Sequence, residues 1–246
     1  MQALRIFRGL GPLDAKTVGR DSLLRGMIGL PLLIALLARF VVPILARRIG
    51  EAIGFDLAAY QARIMSAALL LIAPAVCGLV IGFLLLDQRD DRTLAALQVT
   101  PLPPRAYLAY RLAAPLLLSL IMTVAAFPIG GLAGAGMPAV LLAALAAAPL
   151  APLSALGLAA FAENKVQGLA LFKGASVLLI APIAAIFVPA PWQWALGIAP
   201  TYWPARLYWT LGAGEPGWWV YLLAGLTYQA LLLAALLRRF ERVMGQ

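Results

Sequence analysis

The chain has 246 residues, of which 63% are hydrophobic and 12% charged, with mean hydropathy +0.94 and a formal net charge of +9. Soluble domains carry about a quarter charged residues, so this composition excludes an ordinary globular domain and indicates one polytopic membrane domain over residues 1–246. The positive charge is spread over loops and helix ends, which fits topology signals and anionic headgroups rather than a groove for nucleic acid, and one cysteine (Cys77) with no histidine removes internal disulfides, Cys/His zinc sites and histidine triads.

Residues 1–23 carry Arg5, Arg8, Lys16 and Arg20 among Leu4, Ile6, Phe7, Leu10 and Leu13. Gly9, Gly11 and Pro12 interrupt a helix there, so the expectation is a broken amphipathic segment on the membrane surface, or else a disordered basic leader. Six apolar spans follow, at 24–46, 63–86, 107–132, 137–161, 168–189 and 218–237, and 238–246 form a tail. At 1.5 Å rise, about 20 residues cross a 30 Å hydrocarbon core, so each is long enough. Prolines such as Pro31, Pro74, Pro115 and Pro128 imply kinked, packed helices, because neighbouring helices satisfy the freed carbonyls. The fold class is therefore all-α, a polytopic membrane protein with six transmembrane helices.

Lys/Arg asymmetry gives the orientation. With both termini on one side, that side receives 14 of the 19 basic residues, so the positive-inside rule places both termini and the 87–105 loop in the cytoplasm of a cell (inner) membrane. The opposite side holds a tight Gly-rich turn at 132–137 and a longer loop at 190–217 rich in Trp, Tyr and Pro. Its Trp192, Trp194, Tyr202, Trp203, Arg206 and Trp209 are candidates for an outer gate, with headgroup anchoring as their default role.

The 87–105 loop is unusual in so apolar a chain. Asp90 and Asp91 precede Thr93, Leu94, Leu97 and Gln98 at helical spacing, and Pro101 ends the pattern. The product is a short helix with an apolar edge and a charged approach (Asp87, Arg89, Arg92), the kind that docks in a groove of a soluble protein. A loop obeying only the positive-inside rule has no use for Asp87, Asp90 and Asp91, although that plainer reading stays open.

The stretch Gly82–Arg111 resembles the segment joining the second and third helices of type-2 ABC exporter permeases. In that family an acid ends the second helix, a Thr-Leu-x-x-Leu helix follows, and then come a Pro-Leu turn, a Tyr and a basic residue. Asp87, Thr93-Leu94, Leu97, Pro101-Leu102, Tyr107 and Arg111 match in turn, with Arg92 where the family often has Gly. Within the family the chain is most similar to fluoroquinolone or multidrug export permeases. The resemblance implies a half-transporter that pairs with a second permease, the same or paralogous, and with separate ATPase subunits. Residues 87–102 would be the coupling helix, and the turn at Glu163–Gln167 a second contact. The sequence has no Gly-x-x-x-x-Gly-Lys-Ser/Thr phosphate loop, so this chain carries no nucleotide cofactor of that kind, and ATP and magnesium belong on the partner ATPase.

Polar residues within the spans are the candidates for a substrate pathway: Arg39, Gln61, Arg63, Met65, Ser119 and Thr123. Each has a plainer role, either snorkelling (Arg39, Arg63), bonding to its own helix (Ser119, Thr123, with Ser154) or flexible packing (Met65). The expected function is the membrane subunit of an ATP-driven exporter of a drug-like or lipid-like amphiphile, itself not an enzyme. An intramembrane lipid-modifying enzyme and a non-transporting membrane anchor or assembly subunit remain as alternatives.

Overall fold

The computed structural model describes residues 2–90 and 104–244, which are almost entirely helical with no strand among them. The helices are α1 (Gln2–Arg20), α2 (Ser22–Phe40), α3 (Val42–Ile53), α4 (Ala58–Asp90), α5 (Pro104–Ile129), α6 (Met137–Ala147), α7 (Leu150–Phe161), α8 (Lys165–Ala175), α9 (Ala181–Phe187), α10 (Tyr202–Gly212) and α11 (Trp218–Met244). Short 3₁₀ turns at Ala133–Ala135, Ser176–Ile180 and Trp192–Ile198 join some of them. Five spans are long and apolar enough to cross a bilayer: Ala58–Gln88, Tyr107–Ile129, Met137–Phe161, Lys165–Phe187 and Trp218–Phe240. Gly11–Arg20 and Leu24–Phe40, a pair bent by 90°, pass the same test only when taken together, and make a sixth if the pair is one broken span.

Several boundaries depart from the sequence expectation. α1 runs unbroken through Gly9, Gly11 and Pro12, where a break was expected. Proline costs a helix one amide bond, and here the contacts of α1 with α2 and α5 outweigh that local preference. The first span ends at Phe40 rather than residue 46, because the chain turns at Val41 and α3 begins at Val42 with Pro43 in its first turn. Pro43 has no amide to continue the α2 ladder, but it fits the first turn of a new helix. Gly54, at φ +68°, then closes α3 in the left-handed region. The fourth span is two helices, α6 and α7, hinged at Ala148–Pro149. The fifth is α8 and α9 joined by a 3₁₀ turn, and the last runs on through the expected tail to Met244.

α4 is the central element. Almost all of its span is buried, and it packs most extensively on α7, then on α5 and α2. The reason lies in two small residues four apart. A Cβ placed on Gly78 would lie 2.5 Å from the Ala151 carbonyl oxygen and 2.6 Å from Ser154 Cβ, and one on Gly82 would lie 2.7 Å from Leu158 Cδ1. Gly78-x-x-x-Gly82 therefore lets the α4 and α7 backbones come close, as small residues do at helix contacts within membranes. The core forms two layers along this axis. Phe83, Leu86, Leu156 and Phe240 lie in the layer toward the 87–105 loop, and Leu69, Phe127, Val140 and Tyr208 in the other. The spans Lys165–Phe187 and Trp218–Phe240, by contrast, leave most of their apolar surface outside the bundle.

Candidate functional site

The expected coupling helix falls mostly outside the described residues: Asp91, Arg92, Thr93, Leu94, Leu97, Gln98, Pro101 and Leu102 belong to 91–103. Arg89 and Asp90 lie on the last turn of α4. What the structure does describe is the ground on either side of that segment, where α4 ends and α5 begins. There Arg111, 1% exposed, points its Nη1 at Asp14 Oδ2 of α1, 2.7 Å away. Tyr110 donates its hydroxyl to the same carboxylate oxygen at 2.7 Å, and Arg111 Nε donates to the Tyr107 hydroxyl at 3.0 Å. The Tyr107 hydroxyl in turn donates to Gln88 Oε1 on α4. One chain of polar contacts thus ties α1, α5 and α4 together at the roots of the 91–103 segment.

Burying a guanidinium costs several kcal/mol unless it is paired and hydrogen-bonded, and Asp14 and Tyr107 supply most of what this one needs. Arg111 Nη2 is left without a partner. A second, more exposed pair lies alongside: Lys165 Nζ is 2.9 Å from Asp87 Oδ2 and 3.8 Å from Asp21 Oδ2. Asp21 also accepts the Leu24 amide at 3.2 Å, capping the start of α2. The 162–164 turn before Lys165 is held reciprocally, with Gln167 N donating to Asn164 Oδ1 at 3.0 Å and Glu163 N to Gln167 Oε1 at 2.7 Å. Tyr107 and Arg111 were legible in the sequence as part of a motif, whereas Asp14, Tyr110 and Gln88 were not. The available signal was Asp14, an acid alone among the bases of residues 1–20.

The pathway candidates are not gathered in one place. Ser119 and Thr123 are fully buried on α5, where Ser119 donates to Leu116 O at 3.0 Å and the Thr123 hydroxyl has no partner. Arg39, Gln61 and Arg63 lie at the end of the bundle far from Arg111, with Met65 half-buried beside them. Arg39 Nη1 is 3.5 Å from the Ile129 carbonyl, at the end of α5. Between α4, α7, α8 and α11 is an apolar chamber of about 370 Å³, lined by Leu71, Leu153, Gly157, Phe161, Phe172 and Leu232 among others. Its hydroxyls, Ser154, Ser176 and Thr201, all donate to backbone carbonyls. No sequence pattern marks this chamber, because its walls come from four separated stretches.

The aromatic 190–217 region is mostly helical; its stretch from Thr201 to Thr210 packs largely inside, whereas most of 190–198 and 212–216 is exposed. Tyr202 and Tyr208 are buried, which pushes both phenols above their ordinary value, so neither ionises near neutral pH. Trp203 is wedged between Gly197 and Gly225 and donates its indole N–H to Gly197 O at 2.9 Å. A Cβ on Gly225 would lie 2.6 Å from Trp203 Cβ, so Gly225→Ala should lower the melting temperature of the purified protein by several degrees. An unchanged melting temperature would refute this wedge. Trp194 stacks on Tyr221 at 5.7 Å, the Arg206 guanidinium lies 5.7 Å from that same ring, and Trp192 stands out, 73% exposed. Trp209 turns inward and donates its Nε1 hydrogen to Ser66 Oγ of α4 at 3.0 Å.

The family model described as "Fluoroquinolones export permease protein Rv2686c-like" matches residues 14–237, nearly the whole chain. The chain belongs to this family. Two proteins of Mycobacterium tuberculosis, the fluoroquinolones export permease proteins MT2760 (strain CDC 1551 / Oshkosh) and Rv2686c (strain ATCC 25618 / H37Rv), are each 34% identical to it over 244 residues. Each alignment covers 96% of this chain and 94% of the relative. No solved structure matches. This fluoroquinolones export permease family member is thus a multi-pass membrane protein with a transport role, and the matched region takes in both Asp14 and Arg111.

Proposed function

We propose that this permease is the membrane-spanning half of an ATP-driven exporter, coupled to a separate ATPase chain through residues 87–102. Membership of an export permease family carries the reading. The polar chain Asp14–Arg111–Tyr107–Gln88 supports it, because it holds the two roots of the 91–103 segment against α1, so a push on that segment would reach α4 and α5 together. The excess of Lys and Arg on this end of the bundle argues for a cytoplasmic location, with both termini on the same side of the cell membrane. ATP and magnesium would reside on the ATPase.

The apolar outer faces of Lys165–Phe187 and Trp218–Phe240 have room for lipid and for a second permease, the same or paralogous. The transported molecule is read as a drug-like amphiphile, in keeping with what the two mycobacterial relatives are named for. Replacing Leu94 and Leu97 together by Asp would put charge on the apolar edge of the coupling helix. The doubly substituted chain is expected to insert normally but to lose at least nine-tenths of the ATPase that co-purifies with the wild type in mild detergent. Recovery of the ATPase at wild-type yield would sink the coupling assignment.

A further inference from the structure

At the end of the bundle opposite Arg111, an open cleft of about 430 Å³ lies between α4, the Gly131–Ala135 turn and α10. Three kinds of group line it. Arg63 is its one charged residue; it is exposed and has no acidic partner among the described residues. Trp209 and Tyr208 form an aromatic wall whose polar ends are already tied, the indole to Ser66 Oγ at 3.0 Å and the phenol to Leu132 O. Those bonds fix the ring planes; Tyr208 is buried with its ring against Phe127, so the half-buried Trp209 is the aromatic surface the cleft presents. The remaining lining is Leu132 and otherwise small: Ala62, Gly131, Gly134, Ala135, Gly212 and Ala213. Arg39 does not line the cleft: its Cγ is 3.9 Å from where a Cβ on Gly131 would be, and its guanidinium lies against the Ile129 carbonyl.

A cleft lined mostly by small residues leaves room for a ring, a fixed indole favours stacking, and an unpaired guanidinium favours a carboxylate held by two parallel bonds. The volume falls within the range of small-molecule pockets, about 300–1,000 Å³. We propose that this cleft binds a planar aromatic carboxylate, with Arg63 taking the carboxylate and Trp209 the ring plane. The proposal deepens the export reading, and rests on it for the view that this is the side where cargo leaves. The apolar chamber near Phe172 offers no charged group, so it does not compete for such a ligand.

The test uses the full chain in lipid nanodiscs without any ATPase, with nalidixic acid and its ethyl ester as probes in equilibrium dialysis. The wild type is expected to hold the acid about tenfold more tightly than the ester, a difference of the size a charge-assisted hydrogen bond supplies. Arg63→Gln should remove that preference, Arg63→Lys should restore part of it, and Gly134→Phe should weaken both probes. A Cβ at Gly134 meets nothing within 4 Å, so a side chain can begin there without a clash, and a melting temperature equal to the wild type's is the check that Gly134→Phe acts on the cleft and not on the fold. Equal binding of acid and ester by the wild type, undetectable binding of either, or an Arg63→Gln protein that keeps the preference overturns the site. Drug efflux from cells carrying the native ATPase is measured in parallel. If the wild type exports quinolones while Arg63→Gln and Gly134→Phe bind and export alike, the site falls and the export reading stands. If nanodisc binding follows the pattern above but no export occurs, the site stands and the export reading falls.

Discussion

Asp14→Ala is expected to destabilise the protein more than removing Asp14 and Arg111 together. The single change leaves the Arg111 guanidinium buried beneath α1 with its strongest partner gone, and breaking a buried pair in this way costs roughly 3–5 kcal/mol. The double change Asp14→Leu with Arg111→Met removes the charge along with its partner, and should recover more than half of that loss, since apolar groups of similar volume often serve as well as a buried pair. Arg111→Met alone should fall between the two: it strands Asp14, which is less deeply buried and able to reach water. Thermal unfolding in detergent gives the order directly. If Asp14→Ala melts with the wild type, the ion pair is not what fastens α1 to α5. The same three proteins, assayed with their ATPase for drug-stimulated hydrolysis, would test the coupling reading separately. The double variant should then be stable yet poorly stimulated, because a thioether in place of the guanidinium offers no hydrogen bond to join Tyr107 and Gln88 to α1.

That contrast marks what could be read from sequence. Hydropathy is a local property, so the spans at 63–86, 107–132 and 218–237 emerge from it with boundaries only a few residues off. Where a span breaks is less local. Ser176–Ile180 itself contains neither Gly nor Pro; Gly174 and Pro182 flank it, but breaking residues of the same kind lie inside continuous helices elsewhere in the chain, so they do not by themselves locate the 3₁₀ turn that divides α8 from α9. The continuity of α1 was missed for the opposite reason: Gly9, Gly11 and Pro12 are genuine breaking signals, overridden by the packing of α1 on α2 and α5. The ion pair of Asp14 with Arg111 spans 97 positions, and nothing in a single sequence pairs one acid with one base across that distance. Arg63 and Trp209 were both visible as candidates, but in different roles, as pathway and gate. Their meeting in one cleft depends on α10 folding back over α4, held by the bond from Trp209 to Ser66.

Gly78→Ala is expected to be the most damaging single-methyl addition in α4. The added carbon would lie 2.5 Å from a backbone oxygen on α7, and a backbone cannot swing aside as a side chain can. The two helices must separate along their most extensive contact, at a cost of about 1–3 kcal/mol for overpacking and more for Gly78→Leu, which should yield little folded protein. Gly82→Ala is expected to cost less, because its nearest neighbour is the far end of the Leu158 side chain, which can change rotamer, and not a backbone atom. Gly157→Ala serves as the reference: nothing lies within 4 Å of that position, and within a helix alanine is favoured over glycine by about 0.5–1 kcal/mol. The melting temperatures should therefore fall in the order Gly157→Ala, Gly82→Ala, Gly78→Ala. A Gly78→Ala protein as stable as Gly157→Ala would mean that α4 and α7 are not in backbone contact. The order also bears on mechanism. α4 ends at the root of the 91–103 segment and holds Arg63 and Ser66 near its other end, so a tight α4–α7 seam joins the proposed coupling end to the proposed binding cleft as one rigid body. A milder loosening at Gly82 should then impair drug-stimulated ATP hydrolysis by the partner well before it unfolds the chain.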